Sequence, residues 1–302
     1  MVVITRVQKS TVGLAALALA VGLVACTSQA PPSGAPTRSA PPGSHETPPQ
    51  TTRPSAAPGA HDPVWHYEGD EGPQHWGDLS PAFAACRDGR AQSPVDITLP
   101  VARGVTEALR LRFPAAALRI AHHEHVADGI NNGHTIQVNY DDGDTLDLGE
   151  TAYELVQYHF HNPSEHLLSG RRFPMEMHLV HRSTTGALAV VAVLIEEGWH
   201  NRAFEPVWAN LPRTPGVETH YEHVKVDVDA LLPAVRTSYR YEGSLTAPPC
   251  TEGVKWIVLT MPIELDAAQI RAFTDLIHGN SRPVQPLNGR TVVADLVAMT
   301  AR

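Results

Sequence analysis

Three histidines on two strand-like runs could bind a metal ion through their ring nitrogens. His159 and His161 stand two positions apart on the first run, and His178 stands on the second. In an extended strand, side chains two positions apart share a face and lie about 6.6 Å from each other. If the two runs are neighbouring strands, the three imidazoles converge. Three nitrogen ligands with a fourth position left open are typical of a catalytic zinc ion, whereas closed structural zinc sites are mostly rich in cysteine.

Polar residues on the same faces could support these imidazoles. Gln157 shares a face with His159, and Glu176 shares a face with His178. A zinc-bound imidazole usually donates its second ring N–H to a carboxylate, an amide or a carbonyl oxygen. We therefore predict that Gln157 is the partner of His159 and that Glu176 is the partner of His178.

An H-x-H pair alone is a weak signal in this chain, because 17 of its 302 residues are histidine and such pairs arise by chance. His123 and His125 form a second pair of this kind. We interpret them, together with His122, as part of an exposed loop or a strand end. The first pair differs because a third histidine and two polar partners accompany it in register.

Several segments together resemble an alpha-class carbonic anhydrase of the bacterial type. They occur in the family's order, lie between about residue 65 and residue 290, and cover nearly everything after the leader. In chain order the segments are residues 92–97 (QSPVDI), 132–134 (NGH), 159–161 (HFH), 163–166 (PSEH), 176–181 (EMHLVH), 244–250 (SLTAPPC) and Trp256.

The resemblance implies an enzyme that reversibly hydrates carbon dioxide to bicarbonate and a proton, by attack of zinc-bound hydroxide. Zn²⁺ would be bound by His159, His161 and His178, and would lower the pKa of its water so that hydroxide exists near neutral pH. By the same resemblance, His161 is supported by a backbone carbonyl near Asn280.

Three further residues match catalytic positions of the family. Thr246 would orient the hydroxide: it accepts a hydrogen bond from it and donates its own to Glu165, because an ionised carboxylate can only accept. His134 matches the proton shuttle, a role that suits a side chain with an ordinary pKa of about 6.5. The residues matching the path for proton transfer are Tyr67, Asn132 and Gln137.

The resemblance also implies an apolar pocket for carbon dioxide beside the metal. The residues at the matching positions are Val180, Val190, Leu245, Val254 and Trp256. Most of them would be core residues in any β-protein, so composition alone does not make them a pocket. Ala247 stands where many relatives carry a second threonine, and its side chain has no hydroxyl for the hydrogen bond that helps to hold bicarbonate there.

The hydrophobic pattern predicts a mainly β (α+β) domain. Apolar residues alternate or run continuously, as in strands, at residues 109–113, 135–140, 153–161, 175–181, 188–195, 223–228 and 254–259. One clear helix is predicted at residues 267–278, with Asp266 and Gln269 as a capping box and Gly279 as its stop. This pattern fits the large twisted, mostly antiparallel sheet with peripheral short helices that the family resemblance implies.

The chain divides into three parts. Residues 1–25 resemble a bacterial lipoprotein signal, in which Cys26 would be lipidated and become the mature N-terminus; an ordinary signal peptide with an incidental cysteine is the alternative. Residues 26–63 are rich in proline, serine and threonine and predict an extended tether. Residues 64–302 form the catalytic domain, a length that suits one β-rich domain. We expect an exported protein of the cell envelope, attached to a membrane only through Cys26.

The cysteine count predicts one disulfide bond. With Cys26 assigned to the leader, Cys86 and Cys250 remain, and two cysteines in an oxidising compartment favour a pair. The family resemblance implies the same bond, which would connect the N-terminal segment to the loop of Thr246. Two separately buried thiols are the alternative.

Charge and composition exclude some functions and leave two rivals. The net charge is −9, and the part after residue 63 is more acidic still, which argues against a nucleic-acid partner. No H-E-x-x-H occurs, which disfavours a zinc peptidase. The remaining alternatives are a catalytically inactive carbonic-anhydrase-like binding domain and a surface zinc-binding protein that uses its many histidines.

Overall fold

The computed structural model describes residues 63–99, 102–103, 109–112, 116–123, 135–139, 145–216 and 218–295. Strands dominate this part of the chain, as predicted. They are β1 (Asp96–Ile97), β2 (Ala102–Arg103), β3 (Leu109–Arg112), β4 (Ala116–His123), β5 (Thr135–Asn139), β6 (Thr145–Leu148), β7 (Thr151–His161), β8 (Leu167–Leu168), β9 (Met175–Ser183), β10 (Leu188–Glu197), β11 (Glu218–Val226), β12 (Ser238–Ser244), β13 (Glu252–Leu259), β14 (Ile263–Leu265) and β15 (Val293–Asp295).

The helices of the described residues are short and lie between strands in the chain. The α-helices are α1 (Trp76–Leu79), α2 (Ala85–Asp88), α3 (Glu205–Trp208) and α4 (Ala267–Thr274), and the 3-10 turns are Gly69–Glu71, Pro81–Phe83, Arg202–Phe204 and Asp229–Leu231. None of them is long and apolar enough to cross a membrane.

One large sheet holds most of the described strands. Its central order is β11-β4-β5-β7-β9-β10-β13-β12-β15-β2, with β14, β3 and β6 attached beside this path. Most neighbouring pairs are antiparallel, and β10 pairs in parallel with β13 and β14. The predicted fold class, a large and mostly antiparallel sheet with short helices around it, is therefore confirmed.

The register between β7 and β9 places two of the predicted metal ligands opposite each other. His159 pairs with His178, and His161 pairs with Glu176. The register shifts between Leu155 and Gln157, so the end of β7 that carries the histidines is offset from its beginning. Because directly opposed residues of an antiparallel pair point to the same face, the histidines of both strands lie on one side of the sheet.

The two faces of β7 and β9 pack against different apolar clusters. Tyr158, Phe160 and Leu179 belong to the larger cluster, where Phe160 contacts the rings of Phe204 and Phe273. Val180, on the histidine side of β9, belongs to a second cluster. The period-two alternation of the sequence is thus realised as a core face and a site face.

Several predicted boundaries differ from the structure. The helix predicted at 267–278 ends at Thr274, although its capping box of Asp266 and Gln269 is present as predicted. After Thr274, the N–H of Leu276 donates to the carbonyl of Phe273 three residues back in a tighter turn, and the N–H of Ile277 donates to the same carbonyl. The apolar spacing of the sequence extends through this turn because Ile277 is still buried, which is why the predicted helix was too long. The strand predicted at 223–228 is Glu218–Val226, with a register shift against β4 between Tyr221 and Lys225.

Some predicted features lie outside the described residues. They are the leader, the tether up to residue 62, Cys26, His125, Asn132 and His134. His122 and His123 end strand β4.

Candidate active site

The imidazoles of His159, His161 and His178 converge on one buried point. Their ring centroids are 4.6–5.3 Å apart, and each offers a nitrogen that lies within 4.8 Å of those of the other two. All three side chains are buried. Strand β7 provides the first two and β9 the third, as the spacing predicted.

Each of these rings has its other nitrogen in a hydrogen bond to an oxygen atom. The pairs are His159 Nδ1 with Gln157 Oε1 at 2.7 Å, His161 Nδ1 with the backbone oxygen of Asn280 at 2.7 Å, and His178 Nε2 with Glu176 Oε1 at 2.8 Å. These oxygens can only accept, so the ring nitrogen that faces them carries the proton. The opposite nitrogen of each neutral ring then carries a lone pair.

The three lone-pair nitrogens fit a zinc ion. They are Nε2 of His159, Nε2 of His161 and Nδ1 of His178, and Nε2 of His161 is buried without a hydrogen-bond partner. Burial lowers the pKa of His161, which favours the neutral ring that a metal ligand must be. The donor set, three imidazoles supported by an amide, a carbonyl and a carboxylate, is the chemistry that catalytic zinc sites use.

A second group of possible ligands, His166, Glu176 and His178, overlaps the first. Here the polar atoms already bond to one another: His166 Nδ1 lies 2.7 Å from Glu176 Oε1, and its Nε2 lies 2.6 Å from the hydroxyl of Tyr241. Burial raises the pKa of Glu176, but the imidazoles of His166 and His178 outweigh it and hold this pKa well below its ordinary value. We therefore interpret this group as a hydrogen-bonded support for His178.

Sequence reasoning missed His166 and Tyr241 as parts of this support. The hydroxyl of Tyr241 donates to Ser93 Oγ at 2.9 Å, which extends the connected atoms to the segment 92–97. His166 stands in one of the recognised motifs, which was the only available signal. Tyr241 lies 75 residues further on, so its contact depends on the folded sheet.

Glu165 is fully buried and lies beside the histidines. Its Oε1 accepts a hydrogen bond from the backbone N–H of Arg282 at 2.8 Å. Its Oε2 lies 3.6 Å from Nε2 of His161 and 3.9 Å from Nδ1 of His178, and it has no hydrogen-bond partner. The hydrogen bond expected from Thr246 is therefore not formed at this oxygen, which faces the imidazoles.

Thr246 is buried in residues 244–251, the Thr246 segment, which is held at both ends. The N–H of Leu245 donates to the carbonyl of Thr251, and the N–H of Cys250 donates to the carbonyl of Ala247. Ser244, just before it, exchanges hydrogen bonds with Ser93, from N–H to Oγ in each direction, at 2.9 and 3.1 Å. These bonds fix the Thr246 segment against Ser93, just before β1.

The five predicted pocket residues meet in one apolar cluster. Val180, Val190, Val254 and Trp256 are buried in it, and Leu245 packs against it partly exposed. The Trp256 ring lies 4.9 Å from that of His178, and its Nε1–H donates to the carbonyl of Ser244. An apolar wall therefore borders the histidines. Ala247 packs into a different cluster, with Trp65, Trp76, Phe83, Cys86 and Cys250.

Two of the predicted proton-path residues are among the described ones. Gln137 on β5 pairs with His159 on β7. Tyr67 contacts the rings of Trp65 and Trp76, and burial raises the pKa of its hydroxyl well above the ordinary value, with Glu165 adding to the effect. The structure thus places both beside residues of the site.

The predicted disulfide bond is present between Cys86 and Cys250, whose Cα atoms are 5.0 Å apart. Cys86 lies on α2, and Cys250 closes the Thr246 segment. The bond therefore joins the N-terminal part of the domain to the segment that carries Thr246, as predicted.

A family comparison matches most of this domain. The model of the family described as eukaryotic-type carbonic anhydrase matches residues 71–296. These residues contain the three histidines, Glu165 and Thr246.

Individual proteins agree with the family match. A carbonic anhydrase of Nostoc sp. is 41% identical over 233 residues, which cover 76% of this chain and 85% of the relative. A carbonic anhydrase of Neisseria gonorrhoeae is 42% identical over 245 residues, covering 79% of this chain and 91% of the relative. A solved alpha-carbonic anhydrase from Thermovibrio ammonificans, in complex with the inhibitor sulfanilamide, is 37% identical with a TM-score of 0.71 and covers 78% of this chain and 99% of that one.

Proposed function

The chain belongs to the eukaryotic-type carbonic anhydrase family, and we propose that it converts carbon dioxide and water to bicarbonate and a proton, reversibly and with zinc. The observation that carries the proposal is the convergence of His159, His161 and His178 with their lone-pair nitrogens toward one buried point. The relatives named carbonic anhydrase support the same reaction.

The histidines would hold the zinc ion, and their partners would hold the histidines. When bound, zinc supplies a water molecule of lowered pKa, so that a hydroxide nucleophile exists near neutral pH. Gln157, Glu176 and the carbonyl of Asn280 fix which ring nitrogen carries the proton and how each ring is turned.

Glu165 and Thr246 would orient the attacking oxygen. A threonine hydroxyl that donates to a buried carboxylate can only accept from its other neighbour, which fixes the direction of the hydrogen bonds around the nucleophile. Glu165 is held in place for this by the N–H of Arg282. Catalytic hydrogen bonds often tighten only in the complex with substrate, so we expect Thr246 to donate to Glu165 in that complex.

The apolar wall of Val180, Val190, Leu245, Val254 and Trp256 would receive carbon dioxide. The substrate is small and apolar and gains from contact with such side chains rather than with water. Proton transfer to solvent would use His134, with Tyr67, Asn132 and Gln137 along the path.

The rival functions lack support from the site. An inactive binding domain does not require three imidazoles with matched hydrogen-bond partners, and all of these are present. A surface zinc-binding protein would need several exposed sites. Within the ranges that the structure describes, the groups able to hold a metal share His178 and are buried.

We also propose that the protein is exported and anchored in the cell envelope through Cys26. The support for this is the apolar run that ends in Leu-Val-Ala-Cys at residues 23–26, followed by a proline-rich tether. Neither segment belongs to the residues that the structure describes.

The reaction is tested by measuring carbon dioxide hydration by the purified protein, with zinc content determined on the same sample. We expect activity with one zinc per chain, and inhibition by sulfanilamide, the compound bound in the Thermovibrio ammonificans structure. A zinc-loaded protein that does not accelerate hydration would overturn the proposed reaction and favour a binding domain. Several exchangeable zinc ions per chain would favour a surface zinc-binding protein.

A further inference from the structure

Arg282 is a buried arginine that bonds both to Glu165 in the candidate site and to the N-terminal part of the domain. Its side chain is only 1% exposed, and its guanidinium lies over the ring of Trp76 at 5.8 Å. Charged side chains are rarely buried unless they are paired and hydrogen-bonded. The contacts of Arg282 therefore need an explanation beyond packing.

The backbone and the side chain of Arg282 bond to different parts of the fold. The backbone N–H donates to Glu165 Oε1 at 2.8 Å. The guanidinium donates to three carbonyl oxygens of the N-terminal part of the domain: the Gln92 side-chain oxygen at 2.8 Å, the Ser93 backbone oxygen at 2.8 Å and the Cys86 backbone oxygen at 3.0 Å. One residue thus connects the buried carboxylate to the segment that leads into β1.

Gln92 extends this connection to the Thr246 segment. Its Nε2 donates to the carbonyl of Cys250 at 3.1 Å and to Glu252 Oε1 at 3.0 Å. The carbonyls of both disulfide cysteines therefore accept hydrogen bonds from the Arg282–Gln92 pair. Movement of the guanidinium would shift the backbone N–H that holds Glu165.

From this arrangement we propose that Arg282 is a positioning residue for the reaction and acts by holding Glu165 in place. This role rests on the proposed function above. Glu165 receives one hydrogen bond from the described residues at Oε1 and none at Oε2. Its orientation toward the histidines therefore depends on the Arg282 N–H. The planar guanidinium, with donors in a fixed fork, can hold three carbonyls at once, which a lysine cannot reproduce.

The charge of Arg282 supports the same role. Burial lowers the pKa of its guanidinium to about 10, and Glu165 opposes this shift. A group with that pKa is still protonated near pH 7, so the guanidinium keeps the N–H donors that bind the three carbonyls. Asn280, two residues earlier, supports His161 through its own backbone oxygen.

A double-mutant cycle tests whether Arg282 acts through Glu165. We compare Arg282→Gln and Glu165→Gln, singly and combined, by the rate of carbon dioxide hydration, with zinc content measured on every sample. We expect Arg282→Gln to lower kcat about tenfold, within the range by which contacting residues couple, with KM and zinc content unchanged. In the Glu165→Gln background the same change should cost less than about twofold, because the group it positions has lost its charge.

The opposite outcomes would overturn the inference. An equal loss in both backgrounds would mean that Arg282 serves only the stability of the fold, and an unchanged kcat in the single variant would mean that it does not position Glu165. If Arg282→Gln does not fold, Arg282→Lys takes its place in the cycle. We expect it to lower kcat by a smaller factor, and to leave kcat unchanged in the Glu165→Gln background. A loss that persists beside Glu165→Gln would contradict the proposal in that form too.

A control variant separates this effect from the loss of any buried arginine. Arg236 is 9% exposed and pairs with Asp229 Oδ1 at 2.7 Å. Arg236→Gln should lower the melting temperature with kcat unchanged. If wild-type protein and the control are both inactive, the proposed function fails. If the wild type is active and the effects of Arg282→Gln and Glu165→Gln on kcat simply add, only the role of Arg282 is refuted.

Discussion

His159 on β7 lies directly opposite His178 on β9, and their ring centroids are 5.3 Å apart. The pairing places both imidazoles on one face of the sheet, where His161 joins them. A slip of one residue in this register would turn one strand's histidines to the opposite face. The site therefore depends on the pairing of two neighbouring strands as much as on the three histidines.

Removal of one histidine should abolish metal binding and activity together. In His178→Ala, two imidazoles remain and the ring that Glu176 supports is lost, with its Nδ1 ligand atom. We expect zinc affinity to fall by more than the roughly 10- to 100-fold that loss of a ligand's hydrogen-bond partner costs. Metal analysis after dialysis and the hydration rate measure the two effects.

A matched change at a surface histidine provides the control for that variant. His220 is exposed on β11, and His220→Ala should leave both zinc content and activity unchanged. Full zinc occupancy in His178→Ala would show that the ion is held elsewhere.

Thr246→Ala should slow the chemical step without releasing zinc. The hydroxyl would orient the attacking oxygen but does not bind the metal, so kcat should fall about 100-fold, the order seen when one well-placed hydrogen-bond donor is removed. Thr246→Ser, which keeps a hydroxyl, should restore most of the rate. Thr251→Ala, at an exposed position of the same segment, is the control. An unchanged kcat in Thr246→Ala would remove Thr246 from the mechanism.

His134→Ala should slow the export of the proton rather than the hydration step. An imidazole buffer can replace the missing side chain, because its pKa lies near neutrality as that of histidine does. We therefore expect a reduced kcat in a weakly interacting buffer and its recovery as imidazole is added, with kcat/KM little affected. If imidazole has no effect on this variant, another residue transfers the proton.

The part of the site that sequence predicts is the part set by local spacing. The period of two places His159 beside Gln157 and His178 beside Glu176 on any extended strand, and the motif order identifies the family. The role of Arg282 was not predictable, because its contacts to Glu165 and Gln92 connect residues 117 and 190 positions apart. Such contacts depend on how distant segments meet.

The fold shows the same division. Alternation and continuous apolar runs located the main strands, since they report which side chains are buried. They do not report the backbone path, which is why Ile277 is buried although α4 ends at Thr274. Strand order and register likewise depend on pairings between distant residues.

Cys26→Ser should release an active enzyme from the membrane fraction. If the lipid on Cys26 is the anchor, its loss leaves a tether and a domain whose described helices are too short or too polar to span a bilayer. Cell fractionation with a hydration assay on each fraction measures the change. Substitution of Ser28, two residues further on, by Ala should leave the distribution unchanged. Retention of Cys26→Ser in the membrane would indicate a different anchor.

Reduction of the Cys86–Cys250 bond should lower stability and loosen the Thr246 segment while zinc stays bound. The bond spans 164 residues, and the chain-entropy model gives roughly 5 kcal/mol for a loop of this length, an upper figure because measured values are often smaller. For a domain of this size that corresponds to a fall in melting temperature of up to about 10–20 °C. The proposed zinc ligands lie on β7 and β9, away in sequence from both cysteines, so metal content should not change.

The variant with both cysteines replaced by serine separates the disulfide from other effects of the reductant. Its melting temperature should match that of the reduced wild type and should not respond to further reductant. Hydrogen exchange should be faster at the N–H of Leu245 and of Cys250, which now hold the segment at its two ends, because the covalent bond no longer limits their opening. A peptide map of the exported protein, made without reductant, that finds both thiols free would contradict the bond itself. Equal melting temperatures with and without reductant would show instead that the hydrogen bonds of Gln92 and Arg282 to the two cysteine carbonyls suffice to hold the segment.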